Sequence, residues 1–198
     1  AEADILSGRE NLRRIEAPDA GDAVETAEAW DCALRAQTSP SLLCLSRQAM
    51  PTFRDAGGVV NLVALGAYVI VEPEGGRDVT LIGTGSEVSI ALDAAKLLAS
   101  DGIRAAVVSA PCFDLFRQQS REYRASVLGG VPRIGVEAAV EGDWARWLGE
   151  SGEFVGMTGF GASAPAEVLY REFGITAEAV ARAAMNWLVR SKVAVIHS

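Results

Sequence analysis

Arg47 stands in the string Leu45-Ser46-Arg47-Gln48, directly behind the apolar run at 41–45. A guanidinium at a strand end offers a rigid fork of donors that fits a phosphate or a carboxylate. The same fork fits an acidic neighbour within the fold, and residue type alone leaves both readings open. A second candidate is Gly83-Thr84-Gly85-Ser86, between an apolar run at 79–82 and an amphipathic helix. Backbone N–H groups and the helix dipole at such a turn can hold a phosphate. A dinucleotide fingerprint would need Gly or Ala at position 88, where Val88 stands, and no acidic residue closes a convincing strand twenty residues on. A tight turn with a capped helix start is therefore the stronger reading. Glu137, with Glu141 and Asp143 nearby, could exchange protons or hold a cation. A solvated acidic loop is the commoner outcome for such a cluster.

What is scarce narrows the chemistry further. His197 is the single histidine. A Ser-His-Asp or Cys-His site would have to use that one residue, and a multi-histidine metal site is excluded within the chain. The three cysteines, Cys32, Cys44 and Cys112, are odd in number and form no CxxC pair, which argues against a disulfide framework or structural zinc. The formal net charge of -8 and the absence of a basic run exclude a nucleic-acid surface or an anionic membrane surface. No apolar stretch approaches the ~20 residues of a membrane span, and residues 1–10 lack the pattern of a secretory signal. A soluble cytoplasmic protein is expected. With 49% hydrophobic residues in 198, the chain can bury a core.

The elements that must position these residues follow from periodicity. Residues 23–35 predict a helix, with Val24, Ala27 and Leu34 on its buried side and Trp30 nearby. Residues 41–45 predict a buried strand, and 54–65 a connection that contains the domain boundary, near residue 60. From there strands at 67–71, 79–82, 105–109, 133–137 and 154–157 alternate with helical segments. Val88, Ala91, Leu92, Ala95, Leu98 and Ala99 share one face of the helix after the Gly83 turn, and Thr84 and Glu87 have capping-box spacing. Short helical pieces surround Phe113, Phe116 and Tyr123, and a helical turn carries Trp144 and Trp147. Thr176 caps a final helix to about Trp187, and the residues from 189 onward have no clear assignment. Trp144, Trp147 and Trp187 read as core or interface anchors. The fold class is α/β: a three-layer sandwich around a mainly parallel five-stranded sheet, preceded by a partial α/β domain.

Several strings resemble the transketolase family: Val24-Glu25-Thr26-Ala27-Glu28-Ala29-Trp30, Leu45-Ser46-Arg47-Gln48, Gly66-Ala67-Tyr68-Val69 and Gly83-Thr84-Gly85-Ser86-Glu87-Val88. Glu122-Tyr123-Arg124-Ala125-Ser126-Val127-Leu128 and Phe160-Gly161-Ala162-Ser163-Ala164-Pro165-Ala166-Glu167 continue the series. They occur in family order from about residue 17 to 188, and it is their shared register that makes the resemblance specific. It implies a homodimeric enzyme that moves a two-carbon ketol unit between sugar phosphates, with thiamine diphosphate and a divalent cation (Mg or Ca). It implies that residues 1–60 end a pyrimidine-binding domain and that 61–198 form the C-terminal domain, which adds packing and dimer contact. It carries over one functional residue: Arg47 would contact the phosphate of the sugar substrate.

The departures also have consequences. The family's Gly-Asp-Gly cofactor segment, its activating glutamate and its active-site histidines are absent. Ala17-Pro18-Asp19-Ala20-Gly21-Asp22 stands where the family has Arg-Pro-Ala-Asp. The expectation is a C-terminal portion of a transketolase that is inactive alone, with no catalytic, cofactor-binding or metal residue of its own and with the missing N-terminal domains as partner. A non-catalytic dimerisation or small-ligand module, or one chain of a split transketolase, are the alternatives. Residues 1–60 are expected to be loosely held in the isolated chain, while 66–188 folds.

Overall fold

The computed structural model describes residues 19–38, 40–46, 49–55 and 60–196, with side chains described through residue 190. Its centre is a five-stranded sheet in the order β3-β5-β4-β6-β7. The strands are β3 (Tyr68–Val71), β4 (Val79–Gly83), β5 (Ala105–Ser109), β6 (Arg133–Val140) and β7 (Gly152–Met157). Four run parallel, and β3 joins one edge antiparallel to β5. Every residue of β4 and β5 is buried. Unbroken runs such as Val-Thr-Leu-Ile-Gly and Ala-Ala-Val-Val-Ser are what a parallel strand covered on both faces requires.

Alternation along these strands divides the core in two. Leu81, Val107, Ile134 and Val136 face α2 (Glu87–Ser100) and α7 (Ala177–Ile196). Ile82 and Val108 face Phe116 on α3 (Phe113–Gln118), Trp147 on α5 (Ala145–Leu148) and Trp144 on the turn leading into α5. α4 (Arg121–Leu128) closes that second layer with Val127 and Leu128. The layers are therefore helix, sheet and helix, as expected. Trp144 and Trp147 are core anchors: Phe113 lies 5.0 Å from each ring, edge-on to the first and stacked on the second. Gly135 makes this possible, since a Cβ there would stand 2.6 Å from the Trp144 ring. Trp187, by contrast, is half-buried on α7.

Three local expectations need correction. The helix α1 (Ala23–Arg35) forms with the expected bounds, capped by the Asp22 carboxylate on the Glu25 N–H at 2.8 Å. Its buried residues, however, are Glu25 and Ala29, while Leu34 is 77% exposed and Trp30 51% exposed. The helix presents a polar side to the rest of the protein because Glu25 finds partners there. The expected buried strand at 41–45 reduces to β2 (Cys44–Leu45), which is exposed and pairs only with β1 (Asp19–Ala20). No other described strand joins this two-stranded sheet.

The capping box at α2 does not form. The Glu87 carboxylate turns to the Ser86 and Tyr170 hydroxyls, and among the described residues the buried Thr84 hydroxyl has no hydrogen-bond partner. The buried face of α2 is Val88, Ala91, Ala94 and Leu98; Ala99 is exposed. Thr176 does cap α7, accepting the Ala179 N–H at 3.3 Å. That helix runs on past Trp187 to Ile196 because no Gly or Pro interrupts residues 177–196.

Candidate functional site at the carboxyl ends of the sheet

In parallel sheets, ligand clefts form beyond the carboxyl ends of the strands. Here that place is occupied by β1, β2 and the start of α1. The Asp19 N–H donates to the Pro111 carbonyl at 2.6 Å, just after β5, and the Gly85 N–H donates to the Asp19 carbonyl at 3.2 Å. The Gly83–Ser86 turn thus holds protein backbone. The N–H groups that follow it are used locally, Glu87 on Thr84 O, Val88 on Gly85 O and Ser89 on Ser86 O. With β1 seated on the Gly85 N–H, the turn reading prevails over phosphate binding.

Glu25 locks the arrangement from the other side. It is fully buried and accepts hydrogen bonds from the Tyr68 hydroxyl at 2.6 Å, the Ser109 hydroxyl and the Gly21 N–H at 2.6 Å. Burial pushes its pKa up, against the opposing pull of these donors. The same burial, with the Glu25 charge, pushes Tyr68 up. The Arg54 guanidinium lies 4.9 Å above the Tyr68 ring and pairs with Glu28 at 2.7 Å.

Beside this joint lies a cleft of about 400 Å³. Asp19, Glu87 and Glu137 bring carboxylates to it, Ser46, Ser86 and Tyr170 bring hydroxyls, and Met157, Leu169 and Phe173 form apolar wall. Burial, then the charges of Glu87, Glu137 and Glu25, push Asp19 up to about 7. Burial also raises Glu87, opposed by the hydroxyls of Tyr170 and Ser86. Glu137 is half-buried at this cleft and accepts the Trp144 indole N–H at 2.6 Å, whereas Glu141 and Asp143 are exposed on the following turn. The expected acidic cluster is therefore divided, and Glu137 joins a different set of carboxylates.

Arg47 lies outside the described residues, as does His197. Ser46, the residue before Arg47, lines the cleft. Cys44 is exposed, and desolvation beside Asp19 and Glu137 pushes its thiol up, which disfavours the nucleophilic thiolate. Among the described residues no group of three or more His, Cys, Asp or Glu could hold a metal ion, and no helix is long and apolar enough to cross a membrane. Sequence reasoning passed over Asp19, Glu25, Glu87 and Tyr170. Glu25 sits among charged residues on a helix, where a solvent-facing position is the usual expectation, and only the contact with β3 and β5 reveals it.

The family model for the Transketolase-like TK C-terminal domain matches residues 66–176. The chain belongs to the transketolase family. It is 59% identical over 163 residues to a transketolase of Cereibacter sphaeroides, covering 82% of this chain and 25% of that protein. It is 44% identical over 167 residues to a chloroplastic transketolase of Solanum tuberosum, covering 82% and 22%. Among solved structures, the Pichia stipitis transketolase in complex with sedoheptulose-7-phosphate superposes with a TM-score of 0.81 at 35% identity, over 90% of this chain and 26% of that one. A split-gene transketolase described as an inactive β4 tetramer shares the fold, with a TM-score of 0.73 at 22% identity. The chain matches the C-terminal part of transketolase and spans about a quarter of the length of the curated relatives.

The transketolase family is known to use thiamine diphosphate and a divalent cation. The donor set at the cleft does not fit the diphosphate: Asp19, Glu87 and Glu137 would repel it, and the Gly85 N–H of the nearby turn is taken by Asp19.

Proposed function

We propose that this chain is the C-terminal part of a transketolase subunit and takes part in two-carbon ketol transfer between sugar phosphates without supplying the cofactor site. In this reading residues 1–60 complete a pyrimidine-binding domain whose remainder lies upstream in the enzyme, and 61–198 form the C-terminal domain. The intact enzyme is a cytoplasmic homodimer acting in carbohydrate interconversion (pentose phosphate or Calvin cycle chemistry), and thiamine diphosphate with its cation is held by the upstream domains. The observation that carries the reading is the 59% identity to the Cereibacter sphaeroides transketolase across 82% of the chain. The sugar phosphate in the Pichia stipitis complex supports the substrate class.

Arg47 has one chemical task in this proposal. Its guanidinium forks onto the substrate phosphate and anchors the sugar at the end remote from the transferred carbons. Such binding is equal in ground and transition state, so its loss raises KM and leaves kcat nearly intact. The test uses an intact enzyme built by joining this chain to the preceding three quarters of the Cereibacter sphaeroides relative. Arg47→Ala should raise KM for ribose 5-phosphate by roughly tenfold or more, the worth of a charged hydrogen-bonded contact. An unchanged KM in a folded, turning-over enzyme would remove Arg47 from the phosphate site.

A further inference from the structure

The sheet changes its direction of growth between two neighbouring strands. From β4 the chain passes through α2 to β5 on one side, then returns through α3 and α4 to β6 on the other. The connections leaving β4 and β6 therefore lie on opposite faces, α2 in one core layer and α5 in the other. The pairing of the two strands ends at Gly83 opposite Val136. Such a crossover point, at the carboxyl ends of parallel strands, is where an open α/β sheet forms a ligand crevice. The cleft of about 400 Å³ opens at this place. Glu87 comes to it from behind β4, Glu137 from β6 and Asp19 from β1. The helix α6 (Ala166–Glu172) and the turn after it wall the cleft with Leu169 and Phe173.

The charge in this cleft is unmatched. Glu87 is only 3% exposed, and the Ser86 and Tyr170 hydroxyls both bond to its Oε1. Its Oε2 receives no hydrogen bond from another described residue, and Glu87 stands in the cleft wall. A carboxylate oxygen buried without a donor is costly, and a ligand N–H recovers that cost. The Asp19 carboxylate is desolvated and repelled by Glu87 and Glu137. No Lys, Arg or His is among the described residues that line the cleft. Among the described residues these carboxylates do not converge as a metal site either. A ligand that matches them carries positive charge at separated points, with apolar matter between.

We propose that the cleft between the carboxyl ends of β4 and β6 binds a small organic cation of the alkyl diamine class, with its ammonium groups on the carboxylates of Glu87, Asp19 and Glu137 and its methylene chain on Leu169 and Phe173. An ammonium brings three donors and no acceptor, which is what a wall of carboxylates lacks. Hydrogen bonds between ionised partners are about twice as strong as neutral ones. The apolar wall favours a chain of methylenes over a hydrated inorganic ion. The site does not depend on the role given to Arg47.

The probe is 1,4-diaminobutane, titrated into the 198-residue chain and followed through the indole N–H resonances of its four tryptophans. The Trp144 indole donates to Glu137 Oε2 at 2.6 Å, so an ammonium on Glu137 moves that resonance. The Trp144 signal should shift saturably, while those of Trp30 and Trp187 stay in place. 1,4-Butanediol, of equal length and uncharged, should bind at least about tenfold more weakly. Glu87→Gln keeps an acceptor for Ser86 and Tyr170 but removes the charge, and should weaken the diamine by about tenfold or more. If that variant does not fold, Glu137→Gln, which keeps an acceptor for the Trp144 indole, takes its place. Calorimetry on the intact joined enzyme should show diamine binding that the same variant weakens. No saturable shift at Trp144, equal affinity for the diol, or an affinity unchanged in the deciding variant overturns the proposal. Displacement of the diamine by an equal concentration of magnesium chloride, or no variant-sensitive binding in the joined enzyme, overturns it as well.

Discussion

Replacing Glu25 by Ala removes the one acceptor shared by the Tyr68 hydroxyl, the Ser109 hydroxyl and the Gly21 N–H. Each donor left unpaired in a buried place costs about 1–3 kcal/mol. The two hydroxyls can rotate toward other acceptors, so the lower bound applies to them. Relief of the carboxylate's own burial offsets part of the rest. The net loss is about 2–3 kcal/mol, or roughly 30- to 150-fold in an equilibrium. That loss falls on the docking of β1 and α1, because the hydrophobic clusters of the sheet do not include α1.

Native-state hydrogen exchange on the isolated chain reads this directly, since local opening and global unfolding report separately. Amides of α1 should lose protection by about that factor, while those of β4 and α7 keep theirs. Glu25→Gln retains one acceptor oxygen and should lose tenfold or less. An α1 protection unchanged within about threefold, or an equal loss in β4, would refute the lock.

Other consequences are open to the same instruments. The Asp19 pKa is raised from 3.8 to about 7, so its neutral form favours the docked state. That contribution is complete below about pH 4 and is lost as pH rises through 7. Opening of α1 should therefore grow more frequent from pH 4 to 7, and Asp19→Asn should flatten the trend. Gly66 has φ +80°, and a Cβ there would overlap the Phe116 nitrogen and the Cys112 carbonyl. Gly66→Ala should cost about 3 kcal/mol or more in urea unfolding, against about 1–2 kcal/mol for Gly102→Ala, where only the positive φ is at issue. In limited proteolysis, cuts should fall within 36–62 well before 66–190; uniform resistance of the two regions would contradict the docking account.

Periodicity and apolar runs carried the sheet and its helices, because in a parallel sheet the burial of β4 and β5 is written into their composition. The bounds of α1 were legible in its periodicity, yet its buried side was not. Hydrophobic residues were assigned inward, but the surface that α1 meets is polar, and only the fold brings Tyr68 and Ser109 to Glu25. The strand at 41–45 looked buried because it is apolar. In this chain Leu42 and Leu45 remain more than half exposed, since no described strand beyond β1 covers them. The capping-box spacing at Thr84 and Glu87 was a true local signal that lost to a tertiary partner, Tyr170, which is 83 positions away from Glu87. The acidic cleft was illegible for the same reason: its carboxylates come from β1, α2 and β6 and meet only at the carboxyl ends of the strands.

The central claim is that this chain carries the C-terminal scaffold of a transketolase and depends on upstream domains for the chemistry. The most direct measurement is ketol transfer from xylulose 5-phosphate to ribose 5-phosphate, with thiamine diphosphate and magnesium, by the chain alone and by the joined enzyme side by side. The account predicts no turnover by the chain alone and clear turnover by the joined enzyme. Turnover by the 198-residue chain alone, or a folded joined enzyme with none, would contradict it.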